Sequence, residues 1–429
     1  MISGVKQSDA APTEFTRRRL ISVAGAAAVL GGLPWLGHAR AVELAGRVTY
    51  WHHFTSQTEF AGLKRVIAQF EQHYPAIEIV QEPIPSAEFM AKFNAAVLSG
   101  SRPDTLMITA GRFADMVAMG GLVDLTDPIE DGKLRNDFTP DAFRAVTREG
   151  RVYGVPAFAF VQWMYYRRDW FDEAGIDGPP DTMEAFLETA RKLTDPARGR
   201  YGFGMRAGDG GHLFVIEMMR AFGSPLVEDG VVAIDRGKAI EGVRFYADLY
   251  TRYGVAPPSA PADSYRQIME GFRTGQTGMI WHHTGSLREI ADALPKGSFM
   301  TAIQPAGPGA RIAEVAYLYN GLMQSDNADA AWAWVGFWGE TGAALAMLEE
   351  TGYFPAVTAA VNLAHIASNP LYAAAVKTFE FGGPPPDFPG ADAWGRKVVM
   401  PEFQKILIGA TTVEDAVDAM IRGLEATVR

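Results

Sequence analysis

Between Arg47 and Thr109, strand-like and helix-like patterns alternate in a way that leaves little choice of architecture. Residues 47–54, RVTYWHHF, alternate as a strand does; Ser56-Gln57-Thr58-Glu59 then offers a capping box, and Leu63, Val66, Ile67 and Phe70 repeat at helical spacing. Pro75 ends that helix, residues 77–80 form a second strand, residues 87–99 a second helix, and Gly100 and Pro103 lead to a third strand over 105–109. The order β-α-β-α-β implies an α/β fold with a largely parallel sheet and helices on both faces. Ligands of such sheets sit beyond the carboxyl ends of the strands. Those ends hold His52, His53 and Ser56 after the first strand, and Thr109, Gly111 and Arg112 after the third. Adjacent residues on a strand point to opposite faces, so only one of His52 and His53 lines a site there. The pair has no HExxH helix and no carboxylate companion, and no metal or other cofactor is expected. Arg112 is either a ligand contact or a solvated surface arginine.

The first 41 residues read as an address label rather than part of the fold. Thr16, Arg17 and Arg18 are followed by Arg19, Leu20 and Ile21, an apolar segment runs from Leu20 to Leu36, and Ala39-Arg40-Ala41 is a small-x-small cleavage site. The glycine and alanine content favours an export signal over a membrane anchor. The Thr-Arg-Arg-x-apolar-apolar order resembles a Tat-type signal, with Ser22 where that signal often has lysine; such export would follow folding.

Removing residues 1–41 leaves 388 residues with 34 basic and 48 acidic side chains, a formal net charge of −14. A balance that acidic argues against nucleic acid or an anionic membrane surface as the main partner. The absence of cysteine excludes a disulfide framework, thiolate metal sites and a lipid anchor on a cysteine at the cleavage point. No later apolar stretch is long enough to span a bilayer. A freely soluble exported protein, periplasmic and without direct membrane insertion, is the expectation. Its length exceeds what one core usually supports, so two domains are expected.

Further along, RVYGVPAFAF (151–160) reads as a strand interrupted by Gly154 and Pro156 and continued over 162–166, a shape suited to passing between domains. Asp181 and Glu184 are placed to cap the next helix. Gly208 to His212 is a glycine-rich loop before a helix over 213–222, able to present N–H groups to a ligand, but its glycines do not fit GxGxxG. Residues 316–323, AYLYNGLM, read as a second strand between domains. Trp334, Phe337 and Trp338 mark a core stripe at helical spacing. Gly352-Tyr353-Phe354-Pro355 breaks the chain again, and Thr412 with Asp415 opens the last helix.

The densest polar and aromatic stretch is GFRTGQTGMIWHHTGS, residues 271–286. Met279 to Trp281 read as a short strand, with His282, His283, Thr284 and Ser286 where it should end. One reading makes this strand end, with its polar side chains, a place for a ligand. The other makes the stretch a buried strand with a polar loop, and Trp281 a core residue.

Taken in order, several loose motifs over essentially all of residues 42–429 resemble the extracellular solute-binding proteins of ABC importers, in the branch of the maltose-binding proteins. They are Phe70-Glu71 before Tyr74-Pro75, Ser99-Gly100 with Pro103-Asp104, Tyr153-Gly154-Val155-Pro156 and Tyr165-Tyr166-Arg167-Arg168-Asp169. The Pro179-Pro180 helix start, Phe272-x-x-Gly275-x-x-Gly278-Met279 and Gly352-Tyr353-Phe354-Pro355 complete the set. The resemblance implies a two-lobed periplasmic-binding-protein fold, each lobe a largely parallel sheet flanked by helices, with the ligand enclosed in the cleft as the lobes close. Crossings near Phe158, Leu318 and Tyr353 would then give an N-terminal lobe of residues 42–158 plus 318–352 and a C-terminal lobe of 159–317 plus 353–429.

The resemblance further implies a monomer that captures a sugar or sugar derivative and delivers it to the permease subunits of an ABC transporter, without catalysis. Carried across position by position, the family's ligand contacts fall at His52, His53, Ser56, Thr109, Arg112, His212, Trp281, Thr284, Ser286, Tyr353 and Trp394, with His282 beside them. Two departures weigh against maltodextrin specificity: Ile108 and Thr109 replace a tryptophan common after the Pro-Asp strand, and Gln162-Trp163 stand where some relatives put an acidic contact. The competing class is an exported enzyme, either a Tat-exported oxidoreductase or a glycoside hydrolase. Against the first stand the missing cysteine ligands and dinucleotide fingerprint; against an esterase-like site stands the missing GxSxG. A facing carboxylate pair for glycoside hydrolysis is not readable from sequence.

Overall fold

The computed structural model describes residues 44–428 apart from 140, 141 and 387. The export-signal segment, residues 1–41, lies outside the described residues.

One mixed sheet runs through both lobes. Its strands lie in the order Ile77–Pro83, Gly46–His52, Thr105–Thr109, Val315–Leu322, Val155–Arg167, Thr277–His283 and Tyr201–Gly204, and Phe299–Ala302 and Phe354–Pro355 also pair with Val155–Arg167. The parallel pairs are the outer ones. Gly46–His52 is parallel to both its neighbours, as the β-α-β-α-β pattern requires, and Thr277–His283 is parallel to Tyr201–Gly204. The pairs between them are antiparallel, since the chain doubles back where it crosses.

Val155–Arg167 makes that crossing. Its first half pairs with Val315–Asn320 and its second half with Met279–His283. The strand alternates little in character because both faces are covered: ten of its thirteen residues are buried, all between Val155 and Tyr165. Pro156 does not end the strand despite its missing N–H; the ladder instead shifts register opposite it, between Leu318 and Tyr319. The break falls one step earlier, at Gly154, where an added Cβ would lie 3.2 Å from the Tyr319 Cβ.

Two apolar cores flank this sheet. The first gathers Tyr50, Phe70, Trp334 and Trp338, with the Trp334 ring edge-on to Tyr50 at 5.4 Å and to Phe70 at 5.2 Å. The stripe of Trp334, Phe337 and Trp338 is thus core, on the helix Ala328–Phe337 and the residue after it. The second core gathers Phe186, Phe203, Tyr246, Trp281 and Phe403.

The helix Gln57–His73 begins at the capping box read from the sequence. Ser56 Oγ accepts from the Glu59 N–H at 3.2 Å, and the Glu59 carboxylate accepts from the Ser56 N–H at 2.8 Å. Thr412 caps the last helix, Val413–Val428, by accepting from the Asp415 N–H. The helix Met183–Leu193 differs: Thr182 is its cap, accepting from the Ala185 N–H, because the Asp181 carboxylate turns to Arg311 at 2.6 Å. Since Ser56 Oγ is committed to its cap, Ser56→Ala is expected to cost about 1 kcal/mol of stability in urea unfolding while leaving ligand affinity unchanged.

Candidate functional site

An aromatic cluster at the edge of the first core joins Tyr353 to the crossing strand. Tyr353 stacks on Phe158 with ring centres 4.5 Å apart and planes 8° from parallel, meets Phe160 edge-on at 4.8 Å, and donates its hydroxyl to the Glu59 carboxylate at 2.5 Å. Glu59 therefore serves both the helix cap and this cluster. Tyr353, expected as a ligand contact, is buried and spent on these internal contacts.

Of the two histidines after the first strand, His53 is the one turned toward charged groups of the cleft. His52 is fully buried, its Nε2 against Gln81 Oε1 at 3.1 Å and its Nδ1 accepting from the Phe54 N–H. His53 packs edge-on to Phe89, has no hydrogen-bond partner at Nδ1, and is pulled down to about 4, first by burial and then by the neighbouring Arg112. Arg112 sits on the helix Ala110–Ala118 that follows Thr109. It donates to the Ser86 carbonyl at 2.9 Å and the Ser86 hydroxyl at 2.6 Å, and lies over the Phe89 ring.

From the other lobe, His212 opens the helix His212–Ala221 behind the glycine-rich loop. Its ring packs so closely on Gly395 that a Cβ there would lie 2.4 Å from it, and its Nδ1 has no partner. Burial and then Arg396 lower its pKa to about 4, so it is neutral at pH 7. Arg396 binds Asp209 at 2.5 Å and Asp392 at 2.9 Å. Asp392 and Arg396 both act electrostatically on Arg112 of the first lobe. His53, Arg112 and His212 are thus brought to the place where the lobes' charged groups meet, with Arg206, Asp209, Asp392 and Arg396, which the sequence reading did not single out. A signal for Arg206 was present: it stands just past the carboxyl end of the strand Tyr201–Gly204, before the glycine loop.

The remaining candidates lie elsewhere. Trp281 is 1% exposed in the second core, stacked on Tyr246 at 5.9 Å and 11° and packed on Phe186 and Phe203. Strand alternation accounts for this: Met279 and Trp281 enter one core while Ile280 between them enters the other. The strand also runs on to His283, so His282 and His283 belong to it rather than following it. Ser286 Oγ lies 3.0 Å from the Tyr265 hydroxyl and 3.2 Å from His282 Nδ1, and Thr284 Oγ1 accepts from the Val161 N–H at 3.4 Å. These hydroxyls pin the strand end to its surroundings. His283, held down to about 3 by burial and Arg206, accepts from the Gly285 N–H and packs on Phe160. Trp394 donates its indole N–H to the Met420 carbonyl and is 1% exposed, although its neighbours Asp392, Gly395 and Arg396 build the site. Thr109 ends its strand opposite Leu318, at the start of the helix that carries Arg112.

A cavity of about 80 Å³ lies against Ala110, Tyr317, Tyr319 and Pro384, well below the 300–1,000 Å³ of an ordinary small-molecule site. Gln162 accepts from the Gln304 amide at 3.1 Å, and burial raises the carboxyls of Glu217 and of Glu314, the latter to about 7.

Comparison with known proteins decides what this arrangement belongs to. The family model for bacterial extracellular solute-binding proteins matches residues 55–345. This chain belongs to that family. Solute-binding relatives include a putative binding protein of Brucella abortus, 24% identical over 66% of this chain and 69% of that protein. The mannitol-binding protein of Pseudomonas aeruginosa is 26% identical over 56% of this chain and 53% of its own length. The lactose-binding protein of Rhizobium radiobacter is 26% identical over 60% and 61%. In fold, the solute-binding protein is similar to maltose-bound MalE3 of T. maritima, with a TM-score of 0.81 at 23% identity, covering 89% of this chain and 99% of that one. It is equally similar to a solute-binding protein of Thermotoga lettingae bound with α-D-tagatose, with a TM-score of 0.81 at 20% identity over 90% and 100%. The two-lobed α/β architecture is thereby established. Among the described residues no helix is long and apolar enough to cross a membrane.

Proposed function

We propose that this chain is the periplasmic, non-catalytic substrate-binding component of an ABC importer, capturing a sugar or sugar derivative between its lobes as a monomer and handing it to the permease. The observation that carries the reading is the convergence of His53 and Arg112 from one lobe on His212, Asp392 and Arg396 from the other, in a chain of the solute-binding family. A site split between lobes gains its full set of contacts only when they meet, so ligand energy drives closure. The relatives named for mannitol and lactose support a carbohydrate as the solute. Export by the Tat route follows from the twin arginines, and Arg17→Lys with Arg18→Lys would leave a folded precursor in the cytoplasm.

Small-angle scattering tests the motion. At saturation with a sugar that raises the melting temperature, the radius of gyration is expected to fall, and no product is expected to accumulate over hours. An unchanged radius with a bound ligand contradicts hinge closure, and steady conversion of the sugar contradicts the binding role.

A further inference from the structure

Several part-buried arginines of this protein carry carboxylates, whereas Arg112 and Arg206 do not. Arg167, at 12% side-chain exposure, pairs with Asp169; Arg311, at 19%, with Asp181; Arg273 with Glu270 and Glu289; Arg200 with Glu173. Arg206 is half-buried, and among the described residues no carboxylate lies within ion-pair distance of it. Its hydrogen bond is a neutral one, from Nε to the Asp209 carbonyl at 2.8 Å, which leaves both terminal amino groups uncommitted. The aspartate that acts on it, Asp209, is held by Arg396, which also binds Asp392.

The glycine-rich loop is shaped around this guanidinium. Gly210 has φ +80°, and a Cβ on it would lie 1.9 Å from Arg206 Nη2; Gly211 leaves 2.4 Å to the Arg206 carbonyl. Tyr265 lies beneath it, with 6.0 Å from the guanidinium carbon to the ring centre. Arg206, Arg396 and Arg112 thus face two aspartates, and the histidines around them are neutral. Glu314, the other carboxyl in the field of Arg206, makes no ion pair with it. This is a local excess of positive charge in a chain of formal net charge −11.

We propose that the ligand is an acidic carbohydrate, a sugar bearing a carboxylate or a phosphate, whose anionic group is received by the two terminal amino groups of Arg206 in the cradle of residues 208–211. Arg112 of the facing lobe adds its charge as the lobes close. A guanidinium fork matches a carboxylate or phosphate in two parallel hydrogen bonds, and its separation from other carboxylates keeps it ready for one. The inference rests on the sugar-binding reading above and goes past it by fixing the ligand's charge.

Titration calorimetry with matched probes tests it: glucose, glucuronate and glucose 6-phosphate, and hydrolysates of starch and arabinan against those of pectin and alginate. Acidic probes are expected to bind at least about ten-fold tighter than neutral ones of the same skeleton, with the difference shrinking at high salt. The carboxylate and phosphate arms tell which oxyanion is read. Arg206→Gln is expected to abolish the preference and Arg206→Lys to keep part of it, with a melting temperature recorded for each. If Arg206→Gln does not fold, the wild-type preference and its salt dependence still decide. Neutral probes binding as tightly as acidic ones, or an Arg206→Gln protein that keeps the preference, overturn the inference and leave the sugar-binding reading standing. No binding by any sugar, neutral or acidic, counts against that reading itself, and this inference falls with it.

Discussion

Trp281→Ala should lower the stability of the protein by about 3–5 kcal/mol, the usual cost of emptying a large aromatic site in a packed core. The indole fills a layer made by Phe186, Phe203, Phe214 and Tyr246, all in one cluster, and the parallel stack on Tyr246 continues to Phe403. Collapse around the hole is resisted by the strand itself, which is paired on both sides. A guanidinium chloride titration measures the loss. Ligand affinity of the folded fraction should stay within a few-fold of wild type, because Trp281 does not reach the place where the charged groups of the lobes meet. A mutant of near-normal stability whose affinity falls a hundred-fold would restore the indole as a ligand surface.

Acid should destabilise the protein between pH 6.5 and about 4, with its neutral buried histidines as the main cause. His212 and His282 are 3% and 2% exposed, and burial holds both below the ordinary imidazole value, His212 at about 4 and His282 well below. The native state therefore binds fewer protons than the unfolded chain in this window. Their contribution is complete above the unfolded value near 6.5 and is lost as pH falls through the folded values. For His212 alone the shift corresponds to about 3 kcal/mol. Tyr265 and Ser286 crowd His282, and Asp209, Asp392, Arg206 and Arg396 surround His212, so neither ring is free to turn toward water when charged. Unfolding free energy measured at pH 7, 5.5 and 4.5 should fall, less steeply than the histidines alone would give, because the buried carboxyls of Glu217 and Glu314 take up protons in the folded state over the same window. His212→Gln should flatten part of that slope, and a slope unchanged by the substitution would remove His212 from the account.

Periodicity carried the fold well because each element of the first lobe obeys its own local rule. The helix Gln57–His73 begins at its capping box and buries Leu63, Val66 and Phe70, while the third strand spans Thr105–Thr109 as read. Boundaries drifted where local signals were outvoted. Pro156 was absorbed by a register shift, and the Asp181 carboxylate preferred a guanidinium to a helix end.

The site was legible only in part. Strand ends pointed to His53 and Arg112, because a chain leaving a parallel strand must pass the cleft. Aromatic and hydroxyl content pointed to Trp281, Thr284 and Ser286, which the fold spends on packing and on pinning the strand end. Whether a strand residue faces a cleft or a second core depends on what covers each face, and that is settled by segments far away in the chain. Arg206 shows the reverse case. A lone arginine before a glycine loop looks ordinary in sequence, and its interest comes from Arg396, nearly two hundred residues later, taking both aspartates.

Native mass spectrometry of protein isolated from the periplasm without denaturation, then incubated with a mixed pool of acidic and neutral oligosaccharides, tests the central claim most directly. The account predicts one intact carbohydrate per chain, unchanged in mass after hours. Shortened or oxidised products, or a chain that takes up no carbohydrate from cell or pool, would contradict it.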